Sequence, residues 1–153
     1  MLRIASQPWW VAKGYLISLT AIVIDDSATS RALLRRGLNN AGFEVVGEAG
    51  TAEGALELYA AHRPTLIIFD IILPKTDGVT AATALLKACP DANVVICSAI
   101  ASREKILACR QAGVKYFLLK PVTIQKIAEI AQRIVAQSDL TKPPLALVVG
   151  AQS

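Results

Sequence analysis

Residues 65–70 read Thr-Leu-Ile-Ile-Phe-Asp, four apolar side chains in succession between a threonine and an aspartate. A strand with this composition is apolar on both faces. Strands covered on both faces belong to the interior of a parallel sheet flanked by helices. Three further apolar runs end in the same way on polar groups. Ala21-Ile22-Val23-Ile24 runs into Asp25-Asp26, Val94-Val95-Ile96-Cys97 into Ser98, and Tyr116-Phe117-Leu118-Leu119 into Lys120-Pro121. A parallel sheet aligns the carboxyl ends of its strands along one edge, where open α/β sheets bind ligands. Three carboxylates, a hydroxyl and an ammonium therefore converge on that edge.

Two unit charges ~4 Å apart at an effective dielectric of ~20 repel by about 4 kcal/mol. Three clustered carboxylates with one lysine among them leave room for a divalent cation. All-oxygen ligands of this kind suit Mg²⁺, which takes one or two carboxylates and keeps several waters.

The elements around these runs alternate between strand and helix from residue 19 to 137. Leu19–Asp25 reads as a strand. Ser27–Ala41 reads as a helix capped by Ser27, with Ala32, Leu33, Leu34 and Leu38 on its apolar face and Gly42 closing it. Phe43–Glu48 is a strand. Ala52–His62 is a helix with Ala55, Leu56, Leu58 and Tyr59 inward, stopped by Pro64. After the strand Thr65–Asp70 come a loop from Pro74 to Gly78 and a helix over Val79–Ala88. Ala92–Ser98 is the fourth strand, Arg103–Ala112 the fourth helix, closed by Gly113, and Lys115–Leu119 the fifth strand. Thr123–Gln137 is the last helix, with Ile124, Ile127, Ile130 and Ile134 on one face. Five β-α units predict a three-layer α/β/α sandwich around a five-stranded parallel sheet of order 2-1-3-4-5, the flavodoxin-like arrangement.

The chain has 153 residues, a length that fits one domain, with 54% hydrophobic and 18% charged residues, which argues against disorder. Arg3 and Lys13 supply two of the net +4 charges. No block of Lys and Arg points to nucleic acid, and no Gly-rich phosphate loop follows a strand. The three cysteines, Cys89, Cys97 and Cys109, have no metal-ligand spacing. Cys97 reads as a small buried hydrophobe, and unpaired cysteines fit a reducing, cytoplasmic setting. His62 reads as a solvated helix-end residue. The uncharged stretch from Gly14 to Ile24 is too short to span a bilayer, and no cleavage site follows it. Residues 1–18, with Trp9-Trp10, read as a mobile N-terminal extension. Residues 138–153 read as a C-terminal tail or linker, with Leu145–Val149 as a potential extra strand.

In order and at these spacings, Ile24-Asp25-Asp26-Ser27, Phe69-Asp70-Ile71-Ile72-Leu73-Pro74-Lys75-Thr76-Asp77-Gly78, Cys97-Ser98-Ala99, and Gly113 followed by Phe117-Leu118-Leu119-Lys120-Pro121 resemble the receiver domain of two-component response regulators, of the single-domain, chemotaxis type. The resemblance covers residues 19–137. It implies that Asp70 is the phosphoacceptor and that Mg²⁺ is held by Asp25, Asp26, Asp70 and the backbone carbonyl of Ile72. It implies that Ser98 and Lys120 bind the phosphoryl oxygens, and that Ser98 and Phe117 form the switch, with a cis bond before Pro121. Phe117 stands where tyrosine is common in the family, and Val122 where a bulkier residue is frequent. The resemblance also implies that Ile72 and Ile100 take the two positions that flank the path of attacking water.

The implied function is a phosphorylation-dependent signalling receiver. It takes a phosphoryl group from a sensor histidine kinase, a phosphotransfer protein or a small phosphodonor. It then switches a protein–protein surface made by helix 4, strand 5 and helix 5, carrying Arg103, Lys105, Arg110, Lys115 and Lys126 against Glu104 and Glu129. Such a switch catalyses only its own phosphorylation and dephosphorylation, and it binds no nucleic acid directly. Two alternatives stay open from the sequence. One is a receiver cut from a longer regulator with an output domain. The other is a Mg²⁺-dependent phosphohydrolase, in which a second acid would stand where Ile72 does.

Overall fold

The computed structural model describes residues 19–99 and 102–137. The extension expected over residues 1–18, the tail over 138–153 and Ile100 lie outside the described residues. The elements run β1 (Thr20–Ile24), α1 (Ala28–Asn40), β2 (Glu44–Ala49), α2 (Ala52–His62), β3 (Leu66–Asp70), α3 (Gly78–Ala88), β4 (Val94–Ser98), α4 (Arg103–Gln111), β5 (Tyr116–Leu119) and α5 (Ile124–Gln137). The strands form one parallel sheet of order β2-β1-β3-β4-β5, as expected.

All five residues of β3 are buried. Alternation along the strand divides them between two cores. Ile67 and Phe69 join Ile22, Ile24 and Ile96 beneath Ala55, Tyr59, Leu85 and Cys109 of α2, α3 and α4. Leu66 and Ile68 join Ala21, Val23, Val95 and Cys97 beneath Leu34 and Leu38 of α1 and Ile127 and Ile134 of α5. The three layers follow from this division.

The helix starts carry side-chain caps of the kind that satisfy orphan N–H groups. Ser27 Oγ accepts from Ser30 N at 3.3 Å, Ser102 Oγ from Lys105 N at 3.3 Å, and Thr123 Oγ1 from Lys126 N at 3.1 Å. Thr51 before α2 makes no such bond.

The structure corrects the expected helix faces. Ala32 is exposed, and the buried stripe of α1 is Leu34, Gly37 and Leu38. Gly37 lies against Ile127; a Cβ there would meet the Ile127 Cβ at 2.7 Å. In α2, Leu56 is 44% exposed, and Ala52 takes its place in the core. Ile124 of α5 is half-buried, while Ala131 joins Ile127, Ile130 and Ile134. The α2 C-cap is Arg63, with φ of 45°, in the left-handed conformation. β4 starts at Val94 because Ala92 is still in a turn, its N–H bonded to Cys89 O at 3.0 Å. Among the described residues no helix is long and apolar enough to cross a membrane.

Candidate functional site

Asp25 follows β1 and Asp70 ends β3, so the pairing of these neighbouring strands sets the two carboxylates side by side. Asp25 is 1% exposed and Asp70 is 5% exposed. Each carboxylate is held from both ends. Asp25 Oδ1 accepts from Ser27 N at 2.9 Å and Asp70 Oδ1 from Ile72 N at 3.0 Å. Their Oδ2 atoms share one donor, Lys120 Nζ, at 2.8 Å and 3.0 Å respectively. Asp26 is exposed, and one oxygen each from Asp25, Asp26 and Asp70 lies within 4.8 Å of the others.

Lys120 reaches this pair from the end of β5. Its N–H donates to Ser98 O at 2.8 Å, which fixes the ends of β4 and β5, and the Lys120–Pro121 peptide is cis. Burial works against its charge, but the hydrogen bonds to Asp25 and Asp70 outweigh burial and raise its pKa above the ordinary lysine value.

Ser98 ends β4 and is 4% exposed. Beside it a cavity of about 240 Å³ is lined by Ser98, Phe117, Ile71, Ile96, Ile106 and Leu119 among others. Phe117 is half-buried, with the Arg110 guanidinium 6.0 Å from its ring centroid. Ile72 is 49% exposed and bridges to Asp77 across the loop that follows β3. Gly78 closes that loop. Its N–H donates to Ile71 O at 2.8 Å, and a Cβ would lie 2.6 Å from Ile71 Cα and overlap the Asp70 carbonyl oxygen. Only glycine lets the start of α3 pack this closely against the end of β3.

The structure thus brings together Asp25, Asp26, Asp70, Ser98 and Lys120, with Ile72 adjoining and Phe117 across a small cavity. His62 is exposed at the end of α2. The sequence reading missed Arg31. Its Nη1 donates to the Asp25 carbonyl oxygen at 2.6 Å, and its Nε lies 3.8 Å from Glu48 Oε1. A cation six residues after the acid, on a helix that starts between them, was the available signal.

The donor set suits Mg²⁺. Hard carboxylate oxygens converge from three residues, two of them buried, with a single ammonium bridging the buried pair. Asp25, Asp26 and Asp70 are the residues that would hold the ion.

The family model for the response regulator receiver domain matches residues 21–132. Chemotaxis protein CheY of Thermotoga maritima is 30% identical over 113 residues, covering 74% of this chain and 94% of that protein. CheY of Bacillus subtilis is 34% identical over 108 residues, covering 71% and 90%. Among solved structures, the CheX-CheY-BeF3-Mg+2 complex from Borrelia burgdorferi aligns with a TM-score of 0.71 and 26% identity, over 78% of this chain and 89% of that one.

Proposed function

The chain belongs to the response regulator receiver family, and on that premise we propose that Asp70 accepts a phosphoryl group and that this modification switches a protein-binding surface. The observation that carries the reading is the shared grip of Lys120 on Asp25 and Asp70 at the ends of adjoining strands.

Asp70 is a carboxylate nucleophile of the kind that forms aspartyl phosphates. One of its oxygens attacks phosphorus. The bond from phosphorus to the donor's nitrogen or oxygen breaks, and the leaving group departs with the electron pair. The donors are a sensor histidine kinase, a phosphotransfer protein or a small acyl phosphate. Catalysis of such a transfer is mostly positioning and charge neutralisation. Asp70 is positioned by Ile72 N–H, and Lys120 supplies positive charge where the phosphoryl oxygens gather. Mg²⁺ held by Asp25, Asp26, Asp70 and the Ile72 carbonyl supplies further neutralisation when bound.

The phosphorylated Asp70 presents new acceptor oxygens towards Ser98. The hydroxyl turns to them, and Phe117 moves into the space beside it, a local charge change that biases a two-state element. The surface so altered is that of α4, β5 and α5, where Arg103, Arg110, Lys115 and Lys126 are exposed beside Glu104 and Glu129. The only turnover is gain and loss of the protein's own phosphoryl group. Ile72, at the place of a phosphohydrolase's second acid, gives no proton donor for turnover on small substrates.

The switch is tested by NMR of the chain with Mg²⁺ and beryllofluoride, a stable mimic of the acyl phosphate. Shifts at Ser98, Lys120 and Phe117 that spread to α4 support it. Shifts confined to Asp25, Asp26 and Asp70 contradict it.

A further inference from the structure

We propose that Arg31 is a positioning residue for the Asp25–Asp26 turn, holding it in the form that binds Mg²⁺; this rests on the receiver reading of the site. Arg31 lies in the second turn of α1, and its side chain folds back over the helix start. Nη1 donates to Asp25 O at 2.6 Å. Glu48 Oε1 of β2 lies 3.8 Å from Nε, an ion-pair separation without a hydrogen bond, and Arg35, one turn further along α1, holds the other Glu48 oxygen at 2.6 Å. Arg31 and Glu48 are both about three-quarters buried, with side-chain exposures of 25% and 27%. A brace thus runs from α1 and β2 into the peptide between the two acids.

The location of that brace gives it consequence. Asp25 has its N–H bonded to Ala49 O at 3.0 Å and both carboxylate oxygens engaged. Its carbonyl belongs to the same peptide plane as the Asp26 N–H. The orientation of that plane sets where the Asp26 side chain projects. Among the described residues no hydrogen bond or ion pair holds the Asp26 carboxylate itself. Gly50 borders both Arg31 and Asp26. A Cβ built on Gly50 would lie 3.6 Å from Asp26 Cα and 3.7 Å from Arg31 Nη1, so the three meet in one corner. Asp26 therefore depends on its backbone for its aim, and Arg31 fixes that backbone.

Two effects of Arg31 on Mg²⁺ oppose each other. As a nearby positive charge it repels the cation. As a brace it pre-organises two ligands, and preorganisation lowers the cost of binding. The brace outweighs the repulsion, so the sign of the change on its removal is decisive.

The test is calorimetric titration of Mg²⁺ into the intact chain without phosphodonor, comparing the parent with Arg31→Met, Arg31→Lys and Glu48→Gln. Thermal melts in EDTA establish a titration temperature at which every variant is folded, so a loss of stability alone leaves the affinity unmoved. Outer-shell partners of metal ligands typically contribute 10–100-fold to affinity, so Arg31→Met is expected to weaken binding about tenfold. Arg31→Lys keeps the charge but cannot hold Asp25 O and Glu48 together, and it is expected to weaken binding nearly as much. Glu48→Gln weakens it in the same direction, and decides the matter if Arg31→Met does not fold. Affinity unchanged or tightened in Arg31→Met and Glu48→Gln overturns the proposal and makes Arg31 a bystander charge. A parent that binds no Mg²⁺ at millimolar concentration, with Asp26→Asn indistinguishable from it, overturns the receiver reading as well.

Discussion

Lys120 and Asp25 stand 95 positions apart in the chain, yet Lys120 Nζ lies 2.8 Å from Asp25 Oδ2. The same ammonium reaches Asp70 Oδ2 at 3.0 Å. One cation therefore offsets the repulsion between two carboxylates that the sheet topology forces together. Lys120→Met leaves both acids buried and unpaired. Removing one partner of a buried ion pair costs about 3–5 kcal/mol, so urea melts in EDTA should show a loss of that order. Mg²⁺ should stabilise the variant more than it stabilises the parent, because the ion replaces the missing charge.

Cys97 gives a pH prediction. Burial, first, and the neighbouring Asp70 and Asp25 carboxylates push its thiol up to about 12, while Lys120 pulls the other way. The folded value is raised above the unfolded one, so the contribution of the neutral thiol to stability is full below pH 9.0 and is lost as pH rises towards about 12. The slope approaches roughly 1.4 kcal/mol per pH unit within that window. Cys97→Ala should flatten the stability–pH profile there, whatever it does to stability at pH 7. With the native protein, a thiol reagent at pH 8 should modify Cys89 ahead of the buried Cys97 and Cys109.

Gly37→Ala tests the packing of α1 on α5. Alanine improves helix propensity by about 1 kcal/mol. The new methyl would meet Ile127 Cβ at 2.7 Å. Overpacking of this kind costs about 1–3 kcal/mol, so a net loss of stability is expected. Ile127 Cδ1 would lie 2.8 Å from the same methyl, so the double variant Gly37→Ala, Ile127→Val, which lacks that atom, should recover part of it.

The α1 face shows where sequence reading ends. Glycine has no side chain to add to an apolar periodicity, so the pattern extends to Ala32, which is exposed, and does not register Gly37, which is buried. Leu56 is apolar and fits the inward pattern, but at 44% exposed it sits on the outer side of α2. The left-handed cap at Arg63, where glycine is usual, left no signal beyond the Pro64 that follows. The strands were legible because β3 is apolar at every position before Asp70, and the acid cluster was legible because several strands end in polar groups. The role of Arg31 was not, because it depends on how a long side chain folds back, which spacing alone does not specify.

The resemblance to receivers also carries a kinetic expectation. Ile72, 49% exposed beside Asp70, has no group that orients water, and neither has Ile100, which lies outside the described residues. Positioning the nucleophile is a large part of phosphoryl transfer. Slow loss of phosphate is expected. Ile72→Asn with Ile100→Lys should speed it about tenfold, equivalent to ~1.4 kcal/mol of barrier. Decay of the phosphoprotein after removal of donor measures it, and equal lifetimes in parent and variant would rule out these positions as the control.

Everything proposed for this site depends on Asp70 accepting the phosphoryl group. The direct measurement is intact mass after incubation with Mg²⁺ and acetyl phosphate, followed by hydroxylamine. One added phosphoryl group is expected in the parent, lost with hydroxylamine, and none in Asp70→Ala. Phosphorylation of Asp70→Ala at the parent's rate would contradict it.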